Sequence, residues 1–127
     1  MVILVTGAHG QLGQALQSIT SYYPEIQFQF CGSQEADLTN KASLQQAFKN
    51  YNPTFCINAA AYTAVDKAES EPEVARLINA LAPGVLAQAA EKLGAWMVHY
   101  STDYVFDGSG THARQEGEGT GPLSVYG

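Results

Sequence analysis

The first thirteen residues, MVILVTGAHGQLG, constrain the fold more than any other stretch of the chain. An apolar, β-favouring run from Val2 to Val5 is followed by Gly7, Gly10 and Gly13, and then by an apolar pattern at helical spacing. This order predicts a strand, a tight glycine turn and a helix. Gly7 can adopt the positive φ of a sharp turn, and Gly10, which has no Cβ, lets a diphosphate approach the backbone. Gly13 lets the helix pack close to the strand.

The N-terminus of such a helix offers free N–H groups and a positive dipole end to phosphates. The spacing is G-x-x-G-x-x-G and not the G-x-G-x-x-G of the standard dinucleotide fingerprint. A turn that merely joins a buried strand to a helix is the alternative. The strand before the glycines and the helix after them favour phosphate binding.

Composition and charge restrict the class of protein. The chain has 127 residues, 46 % hydrophobic and 14 % charged, which predicts one folded domain with a core. A net charge of −6 argues against nucleic acid and anionic membranes as partners. No apolar run reaches membrane-spanning length, and Met1 leads into the first strand without a basic leader, so we expect a cytoplasmic protein. Cys31 and Cys56 read as small buried hydrophobes, and no side-chain cluster has the spacing of a metal site.

Strands alternate with helices along the chain. The predicted strands after the first are Gln27–Cys31, Thr54–Asn58 and Trp96–Ser101. The first predicted helix is Gln11–Ser21. The second has Ala42, Leu44, Ala47 and Phe48 as its apolar side and stops at Asn52–Pro53. The third is opened by a capping box at Ser70–Glu73, is kinked at Pro83–Gly84 and ends near Lys92. Asp107–Thr120 reads as a loop.

This alternation predicts right-handed βαβ units in an α/β fold, a Rossmann-type doubly wound parallel sheet truncated after about four strands. In such sheets ligands bind beyond the carboxyl ends of the strands. Gly7–Gly13, Ala59–Ala61 and Thr102–Asp103 each follow a strand, so we expect all three along one rim.

Four stretches carry a resemblance to a known family: Gly7–Gly13 (GAHGQLG), Asn58–Asp66 (NAAAYTAVD), Ser101–Gly108 (STDYVFDG) and Val125–Gly127 (VYG). They resemble the extended short-chain dehydrogenase/reductases, and within them the rhamnose-type reductases of nucleotide-sugars. The match spans the whole chain, and the second and third stretches are the more specific ones.

The resemblance implies reduction of the 4-keto group of dTDP-4-dehydro-L-rhamnose to dTDP-L-rhamnose by NAD(P)H. It implies that Tyr126 donates the proton, that Thr102 hydrogen-bonds the ketone, and that Thr102, Asp103 and Tyr104 line the dTDP-sugar site. The implied cofactor-binding residues are Gly7, Gly10, Gln11, Leu12, Gly13, Asp37, Leu38, Ala59, Ala60, Ala61, Tyr62, Thr63, Tyr100 and Tyr126.

The chemistry of these residues agrees in kind. A ketone reduction needs a donor at the oxygen where charge builds, and a tyrosine is protonated at neutral pH. Each residue also has an ordinary interpretation. Tyr126 alone fits a surface or core tyrosine, Thr102–Asp103 fits a helix cap, and Asn58 fits a residue that only satisfies loop backbone. Asn79 fits a plain helix-face residue, and His99 is better explained as a packed or hydrogen-bonded histidine than as a base.

The sequence departs from the family pattern at its end. The Tyr-x-x-x-Lys signature would place its lysine three positions beyond Gly127, and the family's substrate-binding region would also follow. We therefore expect residues 1–127 to be the N-terminal part of an NAD(P)-binding Rossmann domain, and the 127-residue chain to bind dinucleotide weakly without turning over. A second hypothesis is a homo-oligomer formed through the exposed edge of strand four.

Cofactor preference depends on the end of strand two, where an NAD-preferring site usually carries Asp or Glu. The sequence there is Cys31-Gly32-Ser33, Glu35 comes late, and no Arg lies nearby, so we favour NADPH or dual use over NADH alone. Two other functions stay open. One is a non-catalytic relative of the methionine adenosyltransferase regulatory-subunit type, and the other is a nucleotide-sugar epimerase or dehydratase.

Overall fold

The computed structural model describes residues 1–127 and shows one sheet of four parallel strands in the order β2-β1-β3-β4. The strands are β1 (Val2–Thr6), β2 (Gln27–Cys31), β3 (Phe55–Asn58) and β4 (Trp96–His99). The helices are α1 (Gln11–Ile19), α2 (Lys41–Tyr51), α3 (Val65–Ala68), α4 (Pro72–Arg76) and α5 (Ala82–Leu93). The prediction of an α/β fold with a four-stranded parallel sheet is confirmed.

The sheet is wound on both faces. The chain runs from β1 outward to β2 and then returns past β1 to β3. Right-handed crossovers therefore place α1 on one face and α2 and α5 on the other. The buried core confirms that α2 and α5 cover the same face of the sheet, because Leu4 and Cys56 form one buried cluster with apolar residues of both helices. Ile3 and Val5 alternate with Leu4 and are buried on the opposite face.

The direction of winding reverses between β1 and β3. The carboxyl ends of these two neighbouring strands thus border the topological switch point of the sheet, where open α/β sheets bind their ligands. The glycine loop follows β1 there, and the Ala59–Ala61 segment follows β3.

Most element boundaries agree with the sequence, and the differences have local causes. Strand β2 and the end of α2 lie where they were predicted, with Asn52 in the left-handed region just after α2. Helix α1 ends at Ile19, and Thr20–Tyr22 tightens into a 3₁₀ turn before Pro24. Strand β4 is two residues shorter than predicted.

The predicted capping box at Ser70–Glu73 is wrong. The Ser70 hydroxyl donates to the Lys67 carbonyl at 2.9 Å and so closes the turn after α3, a short helix that the sequence analysis missed. Glu71 occupies the N-cap position of α4 without a side-chain cap bond. Pro72 stands in the first turn of α4, where its missing N–H costs no hydrogen bond.

The predicted kink at Pro83 takes the form of a wide turn. Leu77–Leu81 forms one π-helical turn between α4 and α5, closed by the Ala82 N–H bonded to the Leu77 carbonyl. Pro83 then falls in the first turn of α5, where no N–H is needed. Such turns are frequent at functional sites, and this one carries Asn79.

Candidate functional site

The glycine loop is held tightly against the segment that follows β3. Gly7 has φ +75°, and a Cβ there would lie 2.7 Å from the carbonyl carbon of Ala59 and from the Ala60 nitrogen. A Cβ on Gly13 would collide with the Gly7 carbonyl oxygen, so α1 starts directly beneath the loop. Both positions therefore require glycine.

Helix α1 begins without a side-chain cap. Its N-cap residue is Gly10, which has no side chain to cap the helix, and the first turn contains no acidic residue. The first N–H groups of a helix have no intrahelical partner, so this nine-residue helix presents free donors and the positive end of its dipole. Gly10 is exposed, so the approach to these donors is open.

A cleft of about 380 Å³ lies over the switch point, a volume within the range of small-molecule sites. Six residues that the resemblance assigns to the cofactor line it: Gly7, Gly10, Asp37, Leu38, Ala60 and Ala61. The Asp37 carboxylate accepts from the Thr39 N–H and hydroxyl, and these bonds hold the pKa of Asp37 below its usual value. The small side chains of Ala60 and Ala61 leave this space open.

Other assigned cofactor residues lie outside the lining of the cleft. Gln11 and Leu12 form the first turn of α1 behind the loop, and Gly13 is buried beneath it. Ala59 contacts Gly7 through its backbone. Thr63 is exposed and makes no side-chain hydrogen bond.

A second pocket, of about 240 Å³, lies beyond β4 on the same rim. Thr102, Tyr100 and Tyr126 line it together with Asn79 and His99. Ala61 lines both this pocket and the cleft, so the two lie side by side on the rim. The structure therefore brings the Thr102 and Tyr126 hydroxyls to the same side of the molecule as the glycine loop.

The two hydroxyls differ in their bonding. The Tyr126 hydroxyl makes no hydrogen bond within the chain and is free for a ligand. Thr102 Oγ1 accepts from the Tyr104 N–H at 3.2 Å and donates to Asp103 Oδ1 at 3.3 Å, so Thr102 caps the 3₁₀ turn Asp103–Val105. These bonds are long, and the same hydroxyl still faces the pocket.

Asp103 and Tyr104 line a neighbouring pocket together with Asp107 and Leu123. The Tyr104 ring packs edge-on against Tyr126, with ring centroids 5.5 Å apart. Tyr104 thus contacts the predicted proton donor, whereas Asp103 is directed away from it.

A polar ladder joins the carboxyl ends of three strands. Thr6, Asn58 and His99 are register partners on β1, β3 and β4. Asn58 Oδ1 accepts from the Thr6 hydroxyl at 2.6 Å and from the Ala60 N–H at 3.3 Å. Its amide nitrogen therefore donates to His99 Nδ1 at 3.0 Å, which places the His99 proton on Nε2.

Asn79 holds the loop after β3, which the sequence analysis did not foresee. Its Oδ1 accepts from the Tyr62 N–H at 2.8 Å and its Nδ2 donates to the Tyr62 carbonyl at 2.9 Å. The Tyr62 hydroxyl donates to Glu71 at 2.8 Å, which directs the ring away from the cleft, and Glu71 pairs with Lys67 at 2.9 Å. The bonds to Lys67 and Tyr62 hold the pKa of Glu71 below its usual value.

The side-chain carboxylate of Glu35 lies at the end of β2. Glu35 Oε2 accepts from the Gly32 N–H at 2.9 Å, so the side chain reaches back to the strand end. The ring of His9 lies beside the same glycine, because a Cβ on Gly32 would be 2.8 Å from His9 Nε2. Glu35 comes late in the sequence, but its side chain lies at the strand end, and its role in cofactor preference stays a prediction. Distance along the sequence did not show that the turn folds back.

A parallel sheet with a glycine loop at its switch point, and a tyrosine–threonine pair on the same rim, define a nucleotide-binding domain of the dehydrogenase/reductase class. The family model described as the RmlD substrate-binding domain matches residues 1–127, and the chain belongs to that family. The resemblance seen in the sequence is thereby confirmed.

Relatives and solved structures agree with this assignment. The chain is 44 % identical over 133 aligned residues to a dTDP-4-dehydrorhamnose reductase of Salmonella typhimurium, covering 100 % of this chain and 43 % of the relative. A crystal structure of such a reductase from Clostridium acetobutylicum matches with TM-score 0.93 and 40 % identity, over 99 % of this chain and 45 % of that one. A crystal structure of such a reductase from Bacillus anthracis, in complex with NADP, matches with TM-score 0.92 and 36 % identity, over 98 % of this chain and 44 % of that one.

The chain thus spans less than half the length of these relatives. No helix combines the length and the apolar character needed to cross a membrane. No three His, Cys, Asp or Glu side chains are grouped to hold a metal ion, and the expectation of no metal site stays a prediction.

Proposed function

We propose that residues 1–127 form the NAD(P)-binding domain of a reductase that converts the 4-keto group of dTDP-4-dehydro-L-rhamnose to the alcohol of dTDP-L-rhamnose. One observation carries the proposal. The pocket of Thr102 and Tyr126 adjoins the cleft above the glycine loop, since Ala61 lines both. A redox cofactor bound along the cleft would therefore end beside two hydroxyl groups.

The cleft fits a dinucleotide. The uncapped start of α1 and the glycine loop would hold the diphosphate, and Leu38, Ala60 and Ile78 give apolar walls for an adenine ring. NAD(P)H supplies the hydride when it is bound. The NADP in the Bacillus anthracis relative supports the same class of cofactor here.

Tyr126 is the proposed proton donor. As the ketone carbon is reduced, negative charge develops on its oxygen, and the proton of the Tyr126 hydroxyl neutralises it to give the alcohol. Thr102 is proposed to donate a hydrogen bond to the same oxygen by rotating away from Asp103. Arg76 and His99 are the basic side chains that line the two pockets containing Tyr126, and neither pocket is lined by a lysine.

We propose that the site accepts both NADH and NADPH. The carboxylate of Glu35 at the end of β2 suits a ribose 2′-hydroxyl. His9 and Ser33 line the cleft next to Gly32 and give two polar groups for a 2′-phosphate. Glu35→Gln is then expected to raise the affinity for NADPH relative to NADH. An unchanged ratio of the two dissociation constants contradicts this role of Glu35.

Because we expect the 127-residue chain not to turn over, deuteride transfer is measured as a single conversion at high protein concentration and not as steady-state turnover. The chain is incubated at high concentration with 4-deuterated NADPH and dTDP-4-dehydrorhamnose, and the sugar product is analysed by mass spectrometry. We expect one deuterium in the product, and a rate that falls about 10²- to 10⁴-fold in Tyr126→Phe. A product without deuterium, an undiminished rate in Tyr126→Phe, or equal transfer to a UDP-linked keto-sugar overturns the assignment.

We also propose that a second copy of the chain pairs with the free edge of β4. On this edge strand Trp96 is 72 % exposed and Val98 is 43 % exposed, and exposed apolar edges invite pairing. Light scattering is expected to show a dimer that Val98→Lys dissociates. A monomer at millimolar concentration, or a dimer that Val98→Lys leaves intact, contradicts this proposal.

We propose a cytoplasmic location because both cysteines are free thiols. Cys31 and Cys56 are both free and buried on strands separated by β1, as suits a reducing compartment. Burial raises the pKa of Cys31 to about 11 and that of Cys56 to about 12, so neither thiol is reactive. Cell fractionation tests the location, and recovery in the exported fraction contradicts it.

A further inference from the structure

The C-terminal segment that carries Tyr126 is tied to a part of the chain far away in sequence. The Val125 N–H donates to Glu69 Oε1 at 2.8 Å across 56 positions. Val125 directly precedes Tyr126, so this bond acts on the backbone next to the predicted proton donor. It is also the one side-chain hydrogen bond that joins Ser124–Gly127 to the rest of the molecule.

Glu69 lies in a well-ordered part of the backbone, between α3 and a hydrogen-bonded turn. It follows α3, whose Ala68 is fully buried, and the next turn is closed by the Ser70 and Glu71 N–H groups, which both donate to the Lys67 carbonyl. The exposed Glu69 carboxylate accepts a charge-assisted bond from the Val125 N–H. Gly127, at the other end of the segment, packs closely against the backbone of Tyr104, so the bond to Glu69 fixes the side of Tyr126 that this packing does not.

The Tyr126 side chain itself is held weakly. Its hydroxyl has no partner in the chain, and the ring contacts Tyr104 edge-on. Without the bond from the Val125 N–H to Glu69, the backbone before Tyr126 would lose its side-chain anchor, and the packing of Gly127 and the ring contact with Tyr104 would remain. Even a displacement of about 1 Å can lower the rate of a positioned reaction about 100-fold.

We infer that Glu69 is a positioning residue for Tyr126, which it sets against Thr102 by binding the Val125 N–H. This inference rests on the proposed function, because the orientation of Tyr126 matters only if Tyr126 acts on a substrate. It also gives a physical role to Glu69, which the sequence analysis did not single out.

The test compares Glu69→Ala with Glu69→Gln, which keeps an oxygen acceptor, and with Glu91→Ala, an exposed glutamate on α5 far from the rim. In Glu69→Ala we expect rapid amide exchange at Val125, loss of the ring-to-ring NOE between Tyr104 and Tyr126, and deuteride transfer about 10- to 100-fold slower. The dissociation constant for NADPH should not change. Glu69→Gln should keep most of the rate and the protection, and Glu91→Ala should match the wild type.

Three results overturn the inference. The first is a wild-type rate of deuteride transfer in Glu69→Ala, and the second is an unchanged rate of amide exchange at Val125 in that variant. The third is a parallel loss of NADPH affinity and melting temperature, which would mark Glu69 as a merely structural residue. If the wild-type chain transfers no deuterium, the proposed function fails. The exchange and NOE measurements then decide by themselves whether Glu69 holds the Tyr126 segment.

Discussion

At the scale of single residues, the glycines of the first loop show how far a sequence pattern reaches. Their spacing predicted a tight turn at Gly7 and close packing at Gly13, and the structure confirms both. The pattern did not show what they pack against. The partner of Gly7 is the backbone of Ala59 and Ala60, more than fifty positions away, and only the register of β1 with β3 brings them together.

Gly7 and Gly94 form a matched pair for measuring this contact. Both have positive φ, but a Cβ on Gly94 would meet nothing within 4 Å. We expect Gly94→Ala to lower the free energy of unfolding by about 1 kcal/mol, the cost of the left-handed conformation alone. Gly7→Ala should cost about 3 kcal/mol, because the collision with Ala59 adds an overpacking penalty. Urea denaturation measures both, and equal losses would contradict the close contact.

The buried bond between Thr6 and Asn58 is a second residue-scale feature that no sequence pattern revealed. Thr6→Val keeps the shape of the side chain and removes the hydroxyl, which leaves the buried Asn58 oxygen with the Ala60 N–H alone. We expect a loss of about 1–2 kcal/mol in unfolding free energy. Thr39→Val, at an exposed turn, is the control, and a Thr6→Val variant no less stable than this control would count against the ladder.

At the scale of elements, strands were easier to predict than the turns that build the site. Buried β-branched runs such as Val2–Val5 mark strands through composition alone. The π-helical turn at Leu77–Leu81 has no such signal, since its residues also suit a plain α-helix. Asn79 therefore looked like a helix-face residue, whereas the wide turn directs its amide to the backbone of Tyr62.

Removing that amide tests the role of the π-helical turn. Asn79→Ala loses two hydrogen bonds, which should cost about 2 kcal/mol of unfolding free energy and speed amide exchange at Tyr62. Asn50→Ala, which loses one exposed bond to Gln46 on α2, should change neither quantity appreciably. Slow exchange at Tyr62 in Asn79→Ala would show that other contacts hold the loop.

The pair between α3 and α4 predicts a pH window. The pKa of Glu71 lies below 4.5, so its contribution to stability is present above that pH and is lost as the pH falls through the folded value. The pKa of Lys67 lies above 10.5, so its contribution is present below that pH. Glu71→Gln should therefore melt below the wild type at pH 7, and the difference should shrink as the pH falls below 4.5. A difference that stays constant or grows as the pH falls below 4.5 would contradict this origin.

At the scale of the whole molecule, the order of elements gave the fold and the rim, but not the internal contacts of the rim. Alternating strands and helices imply a parallel sheet, and a parallel sheet gathers its carboxyl-end loops on one side. This reasoning predicts Gly7, Ala61 and Thr102 on one rim, where the structure has them. It does not predict the bond from the Gly32 N–H to Glu35, which depends on a turn that folds back, or the bond from the Val125 N–H to Glu69, which joins segments 56 positions apart.

Titration of the ¹⁵N-labelled chain with NADPH tests most directly the central claim that one ligand reaches both halves of the rim. We expect amide shifts at Gly10 in the loop, at Ala61 between the two pockets, and at Tyr126 beyond β4, all saturating with one dissociation constant. Leu93, at the opposite end of the sheet, should not shift. Shifts confined to the α2–α5 side, or changes at Gly10 that leave Ala61 and Tyr126 unaffected, would contradict the account.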